Sequence, residues 1–485
     1  MIRLALLLSA VLLAVLPAPA QVVPEAGSMA ATERYLFVRR GDEIFQLEIH
    51  SLRILKRVRL PAAEPVVEPE PVIEEPGPDP GGVEGGIEVD PKEPEEVVPD
   101  EAVLEPLEIE DEGPERQAGA GGKYGGRAKG GEELARRGGK ASATAIQLGI
   151  DWLVRHQAVD GRWDADAFME RELAGERSDG PGLAVHDVGV TGLALLALLG
   201  DGNSLRSGPQ RESVRRAVAW LREQQDPATG LIGTTSHHSF IYDHAIATLA
   251  MVEAYGLSEY KLLKSSAQRA IDYLEFHRNP YAVWRYQPRD GDNDTSVTAW
   301  CVMAYRSAQD FGLEVNRQAF SIATVWFEQM TDPASGRTGY TERGGFSSRQ
   351  AGQHALLYPR EASEAMTAAG LFCRFLLGQE PAKQPIMSTQ ADLVIRRPPV
   401  WEEGKIDEYA WFLGSLAIYQ IGGRHWQEWS RHIEAAVVKP QRQDGNFAGS
   451  WDPIGVWGEV GGRVFSTAML TLTLQSYYRY TRLVR

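Results

Sequence analysis

The chain has 485 residues, with 66 acidic against 50 basic side chains and a net charge of −16. Its two cysteines, Cys301 and Cys373, exclude a disulfide-built scaffold; both sit in apolar runs, where cysteine serves as a small hydrophobe, and a bridge between them after export stays open. The acidity is local. From Glu64 to Glu115 about twenty acidic residues face the single basic Lys92, and the remainder is close to neutral, which excludes the basic bias of nucleic-acid binders.

Residues 1–20 read as a signal peptide: Arg3, an apolar stretch from Leu4 to Leu16, then Ala18-Pro19-Ala20 before Gln21. The stretch falls short of the about 20 residues of a membrane span. The mature chain is therefore expected to be exported, to the periplasm or cell envelope, without a transmembrane span. Residues 32–61 alternate in the strand manner in three runs, Tyr35 to Val38, Ile44 to Ile49 and Ile54 to Leu60, which predicts a small three-stranded β-meander. Residues 62–140 predict a disordered linker, acidic and Pro-rich at first, then Gly-rich and basic from Gln117 to Lys140.

From residue 141 to 485 a helix-pair unit recurs six times. The polar members are Ser142–Gln157, Arg211–Gln225, Ser265–Arg278, Val315–Met330, Ser388–Arg396 and Arg424–Pro440. The apolar members are Val188–Leu199, Tyr242–Tyr255, Asp294–Ala308, Ala362–Leu377, Glu408–Gln420 and Val464–Tyr480. Helices apolar on nearly all sides belong inside, and repeats bury their faces only against neighbours. The predicted fold is all-α, an α6/α6 toroid with the apolar set as its inner ring.

Several repeats share a phrase. The first has Trp152-Leu153, Gln157, Gly161 and Trp163; the second has Trp220-Leu221, Gln225 and Gly230. The third keeps Tyr273-Leu274 and Trp284, the fourth Trp326-Phe327, Gly336 and Tyr340, and the last Gln443-Asp444-Gly445 with Gly449-Ser450-Trp451. This resembles the QW motif of the squalene–hopene cyclase and protein prenyltransferase superfamily, whose fold is the α/α toroid. The closing block from Trp411 to Tyr480, and Tyr242 to Leu249, are similar to exported bacterial proteins with prenyltransferase/squalene-oxidase repeats, a group of unsettled function. Physically the phrase is a staple: the Gln satisfies backbone groups at a helix end, the Gly permits the turn, and the Trp lies back over the helix.

The resemblance implies chemistry that the residues do not fully carry. A triterpene cyclase protonates an alkene with the middle acid of Asp-x-Asp-Asp-Thr; here Asp290-Gly291-Asp292-Asn293-Asp294-Thr295 is broken in either register. Asp292 and Asp294 are weak catalytic candidates. Glu364, three residues from Glu361, is another, for polysaccharide chemistry. Asp187, Asp243, Asp294, Glu361 and Asp407 all stand at inner-helix starts, where capping accounts for most of them and leaves room for a polar rim around a cavity.

The prenyltransferase zinc set is absent, since Ala299 and Leu371 stand two residues before the cysteines. His237, His238 and His244 show no ligand spacing and read as surface or capping residues, so neither metal nor cofactor is expected. Tyr242, Asp243, His244, Trp284, Tyr286, Trp300, Tyr409 and Trp411, with Tyr340 and Tyr358, are expected around a central cavity. The functional expectation is a non-catalytic protein of the cell envelope that binds an apolar, isoprenoid-like ligand or a protein partner. A terpenoid cyclase and a polysaccharide-active toroid are the alternatives.

Overall fold

The computed structural model describes residues 29–31, 35–40, 43–48, 54–59, 122–136, 139–172 and 175–483. The chain divides into two compact units, Met1–Pro99 and Asp100–Arg485. In the first, β1 (Met29–Ala31), β2 (Tyr35–Arg40), β3 (Glu43–Glu48) and β4 (Ile54–Arg59) form an antiparallel sheet in the order β1-β2-β3-β4. The three alternating runs are β2 to β4. The added strand, Met29–Ala31, is three residues long and has no alternation to read. The expected signal peptide and the acidic part of the linker lie outside the described residues.

The second unit is helical. After α1 (Gly130–Arg136) come α2 (Lys140–Arg155), α3 (Asp187–Gly200), α4 (Arg211–Glu223), α5 (Phe240–Ser258), α6 (Lys264–His277) and α7 (Thr295–Asp310). Then follow α8 (Gln318–Met330), a short α9 (Gln353–Leu357), α10 (Ala365–Leu376), α11 (Ile386–Ile395), α12 (Glu408–Ile421), α13 (Gly423–Ile433) and α14 (Gly458–Leu474). The apolar helices α3, α5, α7, α10, α12 and α14 pack each on the next, and α14 returns to α3, closing an inner ring of six. The amphipathic α2, α4, α6, α8, α11 and α13 lie against them from outside. This is the α/α toroid.

Sequence sets the packing distance. In α3 every residue from Gly189 to Gly200 is buried, and a Cβ at Gly192 would lie 3.0 Å from the Ala247 nitrogen, so glycine lets α5 approach closely. The repeated phrase acts as a staple between successive repeats. Gln157 donates through Nε2 to Gly161 O (2.8 Å) and also to Ser213 O (3.0 Å) in α4. Gln225 does the same to Gly230 O (3.1 Å) and Ser266 O (3.0 Å) in α6. Trp163, Trp284 and Trp451 each donate an indole N–H to a carbonyl of the preceding outer segment, at Leu153 (2.7 Å), Leu274 (2.7 Å) and Val437 (2.6 Å).

In the last repeat the stapling amide is Gln441, two residues before the Gln443 of the sequence reading. It reaches Gly449 O (3.0 Å) and Ala145 O (2.8 Å) of α2, joining the last repeat to the first. Trp152 adds to this seam with a bond to Asn446 O (2.9 Å).

One expectation is corrected. The glycine-rich basic end of the supposed linker is ordered helix and turn over 122–136. Tyr124 and Arg127 are buried, and Arg127 Nη1 meets Glu253 Oε2 of α5 at 2.7 Å. A Cβ at Gly126 would lie 2.5 Å from Tyr478 O, and one at Gly130 would strike the Tyr478 ring at 2.2 Å. These glycines serve close packing on the C-terminal residues, not flexibility. Cys301 and Cys373 are both buried and free. No helix among the described residues is long and apolar enough to cross a membrane.

Candidate functional site

A cavity of about 220 Å³ lies where the inner helices begin. Its wall takes Val190 and Leu193 from α3, Tyr242 and Ile246 from α5, Ser296 and Trp300 from α7, Met366 from α10, Tyr409 from α12, and Phe465 and Met469 from α14. These are first- and second-turn positions, counted in α14 from the kink at Gly462, so all six inner N-termini open to one mouth. Trp300 stacks near-parallel with Tyr409 (centroids 6.2 Å) and Phe412 (6.0 Å), giving one side a flat aromatic face.

The opposite chemistry comes from hydroxyls. Asp294 caps α7, its Oδ1 accepting the Val297 N–H at 2.7 Å, and is fully buried. Tyr340 donates to Asp294 Oδ2 (3.2 Å), Tyr286 lies 2.8 Å from the Tyr340 hydroxyl, and the Tyr242 ring packs beside Tyr286 (centroids 6.0 Å). Burial pushes the Asp294 carboxyl up to about 7, against the Val297 N–H and Arg285, whose Nε stands 3.7 Å away. Ser296 and Tyr409 pair at 3.0 Å. The tyrosines reach the cavity, whereas the carboxylate behind them does not.

The expected residues divide. Tyr242, Asp243, Tyr286, Trp300 and Tyr409 line the cavity. Trp284 does not; it is buried and held in its staple to Leu274, a role its place in the repeated phrase implies. His244 is fully buried, accepting the Ile232 N–H at Nδ1 (3.0 Å) with Nε2 against Ala270 O (3.1 Å), and burial lowers its pKa to about 3. Trp411 lines a second cavity, of about 270 Å³, beside Glu364 and Asp407. Glu364 is gripped by Arg337 (2.8 Å) and Thr367 (2.7 Å), while Glu361 is exposed beside Arg360, so the two do not form a pair. Asp292 is exposed beside Arg285, and Asn293 Oδ1 accepts the Val283 N–H (3.0 Å), so both shape the loop.

Capping accounts for Asp294 and for Asp407, which accepts the Ala410 N–H at 3.0 Å. It does not account for Asp243, whose carboxylate meets His186 Nδ1 (3.0 Å) and His237 Nε2 (3.2 Å). Tyr340 belongs to the hydroxyl chain, not to a staple; in its repeat Thr338 stands where Trp163 does, its N–H bonded to Thr367 Oγ1 (3.3 Å) as the Trp163 N–H is to Thr191 Oγ1 (2.9 Å). Sequence reading missed His186, Arg349, Trp457 and Phe465 at the cavity. His186 stands directly before α3 beside the noted Asp187, so its place at an inner-helix mouth was readable. Trp457 and Phe465 flank an irregular helix start, with Gly462 at φ +67°, which no periodicity signals.

No family model matches the chain. No curated protein matches it either. Among solved structures it is similar to a type II terpene cyclase from Scytonema, at 14% identity over 70% of this chain and 98% of that one, with a TM-score of 0.44. It is also similar to an inactive α-1,6-mannanase variant from Salegentibacter sp., at 10% identity over 69% and 98%, TM-score 0.46. A third is an unsaturated glucuronyl hydrolase specific for heparin, at 11% identity over 70% and 97%, TM-score 0.47. Each of these is a likeness in the course of the chain.

Proposed function

We propose that the toroid is an exported binding protein for a small, mainly apolar molecule with one hydroxyl or carbonyl end. The observation that carries this is the make-up of the cavity wall: aliphatic and aromatic carbon from five helices, with the Tyr242, Tyr286 and Tyr340 phenols among it. Apolar burial would supply the affinity, at about 25 cal/mol per Å² removed from water. The hydroxyl chain would fix orientation, because an unpartnered polar end in such a pocket is costly. An isoprenoid alcohol has this chemistry.

A terpenoid-cyclase reading moves from Asp292 to Asp294, the acid that is buried beside the cavity. Two features weigh against it. Alkene protonation needs an unusually strong acid, whereas burial makes this carboxyl a weaker one, and it meets the cavity only through the phenol of Tyr340. The polysaccharide reading finds no free carboxylate pair: Asp243 is the only carboxylate on the central wall among the described residues, and in the second cavity Glu364 and Asp407 are each held by an arginine, Arg337 (2.8 Å) and Arg349 (2.9 Å).

The test is native mass spectrometry of tag-free protein, as purified and after incubation with farnesol, beside an Ile246→Trp variant that fills the cavity. Wild type carrying one small apolar molecule, with none on the variant, supports the reading. Wild type that stays empty in both conditions, or a variant that binds equally, overturns it.

A further inference from the structure

The first turn of α5, the loop before it and the residues preceding α3 bring together two imidazoles and a carboxylate that neither packing nor capping uses. His186 Nδ1 lies 3.0 Å from Asp243 Oδ2, and His237 Nε2 lies 3.2 Å from the same oxygen. The two imidazole rings stand nearly perpendicular with centroids 5.0 Å apart, and one donor atom from each of the three residues lies within 4.8 Å of the others. The geometry points to a binding site for one divalent transition-metal ion, held by His186, His237 and Asp243 at the mouth of the central cavity.

Four observations carry this. Tetrahedral ligand arms of about 2.0–2.1 Å place neighbouring donors about 3.3 Å apart, close to the two measured edges of 3.0 and 3.2 Å. Asp243 is buried, and the only basic groups within ion-pair distance of it among the described residues are these two imidazoles, so no arginine or lysine neutralises it. His237 Nδ1 meets Ser239 Oγ at 3.3 Å, an outer partner that orients a ring ligating through Nε2. Finally, the site has been given room: a Cβ at Gly189 would lie 2.1 Å from Asp243 Oδ1, so only glycine there admits the carboxylate.

The donor set, two neutral nitrogens and one carboxylate, suits zinc, iron(II), cobalt(II) or nickel(II) and leaves coordination positions open. His186 and Asp243 also line the cavity, so a hydroxyl or carbonyl oxygen on a molecule bound there can complete the coordination. The inference stands apart from the binding reading, because the metal is tested without any organic ligand.

The experiment is titration of chelator-treated, tag-free full-length protein with Co²⁺, followed by its visible absorption bands, and with Zn²⁺ by calorimetry. One equivalent of Co²⁺ is expected to bind wild type. His186→Ala and His237→Ala should weaken binding by more than the about 10–100-fold that loss of an outer partner costs, and His238→Ala, whose ring packs on Tyr286 instead, should bind normally. Circular dichroism and thermal melting establish that each variant is folded. Absence of bands and of heat with wild type overturns the proposal and leaves a proton-held His–Asp–His cluster. Wild-type affinity in the two alanine variants overturns it as well.

Discussion

Glu253→Gln strikes a buried carboxylate shared by two buried guanidiniums. The Glu253 carboxylate is fully buried in α5, accepts Arg127 through two bonds (2.7 and 3.1 Å), and accepts Arg479 Nη2 (2.8 Å) and the Tyr480 hydroxyl (3.2 Å). Both guanidiniums are themselves buried. Removing one member of a buried ion pair costs about 3–5 kcal/mol, because the other charge is left without compensation. Here one carboxylate serves two guanidiniums, which places the expectation in the upper half of that range.

Urea unfolding at neutral pH, read by far-UV circular dichroism, measures the change. Arg127→Met leaves the Glu253–Arg479 pair intact and is expected to cost about 1–3 kcal/mol, while exposing 122–136 to limited proteolysis. The pH sign follows from the same geometry. Burial pushes the Glu253 carboxyl up, but Arg127 and Arg479 outweigh it and hold the group below its ordinary value. The stabilisation is therefore complete above the ordinary value of about 4.3 and is lost as pH falls through the depressed native one. Glu253→Gln within about 1 kcal/mol of wild type, a surface-like cost, would refute the reasoning.

Asp294 has the opposite sign: its native carboxyl, pushed from 3.8 to about 7 by burial, holds a proton the unfolded chain has already released. Stability should fall as pH rises through that window, and Asp294→Asn, which keeps the cap, should flatten the decline in Tm only partly, since burial also raises Glu408 to about 7; an unchanged slope refutes it. Gly161→Ala should cost about 1–3 kcal/mol, because Gly161 sits at φ +104° and the new methyl would lie 2.2 Å from Arg216 O. Equilibrium unfolding with wild-type stability would show that the staple loop yields.

The toroid was legible because its signal is repeated. Apolar runs such as Gly192-Leu193-Ala194-Leu195-Leu196 cannot face water, and Trp163 and Trp284 sit at like positions ten residues after Leu153 and Leu274. The stretch 122–136 was not legible. Glycine reads as flexibility when isolated, and only the facing Tyr478, far along the chain, turns Gly126 and Gly130 into contact surfaces. The site was legible in part. Tyr242, Tyr286 and Trp300 follow from their place at helix starts, whereas the union of His186, His237 and Asp243 depends on how α3 and α5 meet. In the sequence nothing sets His237 apart from His238 or His244, and side-chain direction alone separates them.

The seam has a consequence for the order of folding. Gln441 and Trp152 make their bonds across 296 and 294 residues, and Arg127 reaches the Arg479 carbonyl across 352. Closing so long a loop is thermodynamically mild, since each doubling of length adds only about 0.6 kcal/mol. In time it is demanding: five repeats can stand assembled while α3 still presents a bare apolar flank, and only the arrival of α14 covers it. Until then the molecule is an open arc with an exposed site that a helix from another copy can also fill. Ring closure, more than any single repeat, is thus the step at which this chain commits to remaining a monomeric body or becoming a swapped one.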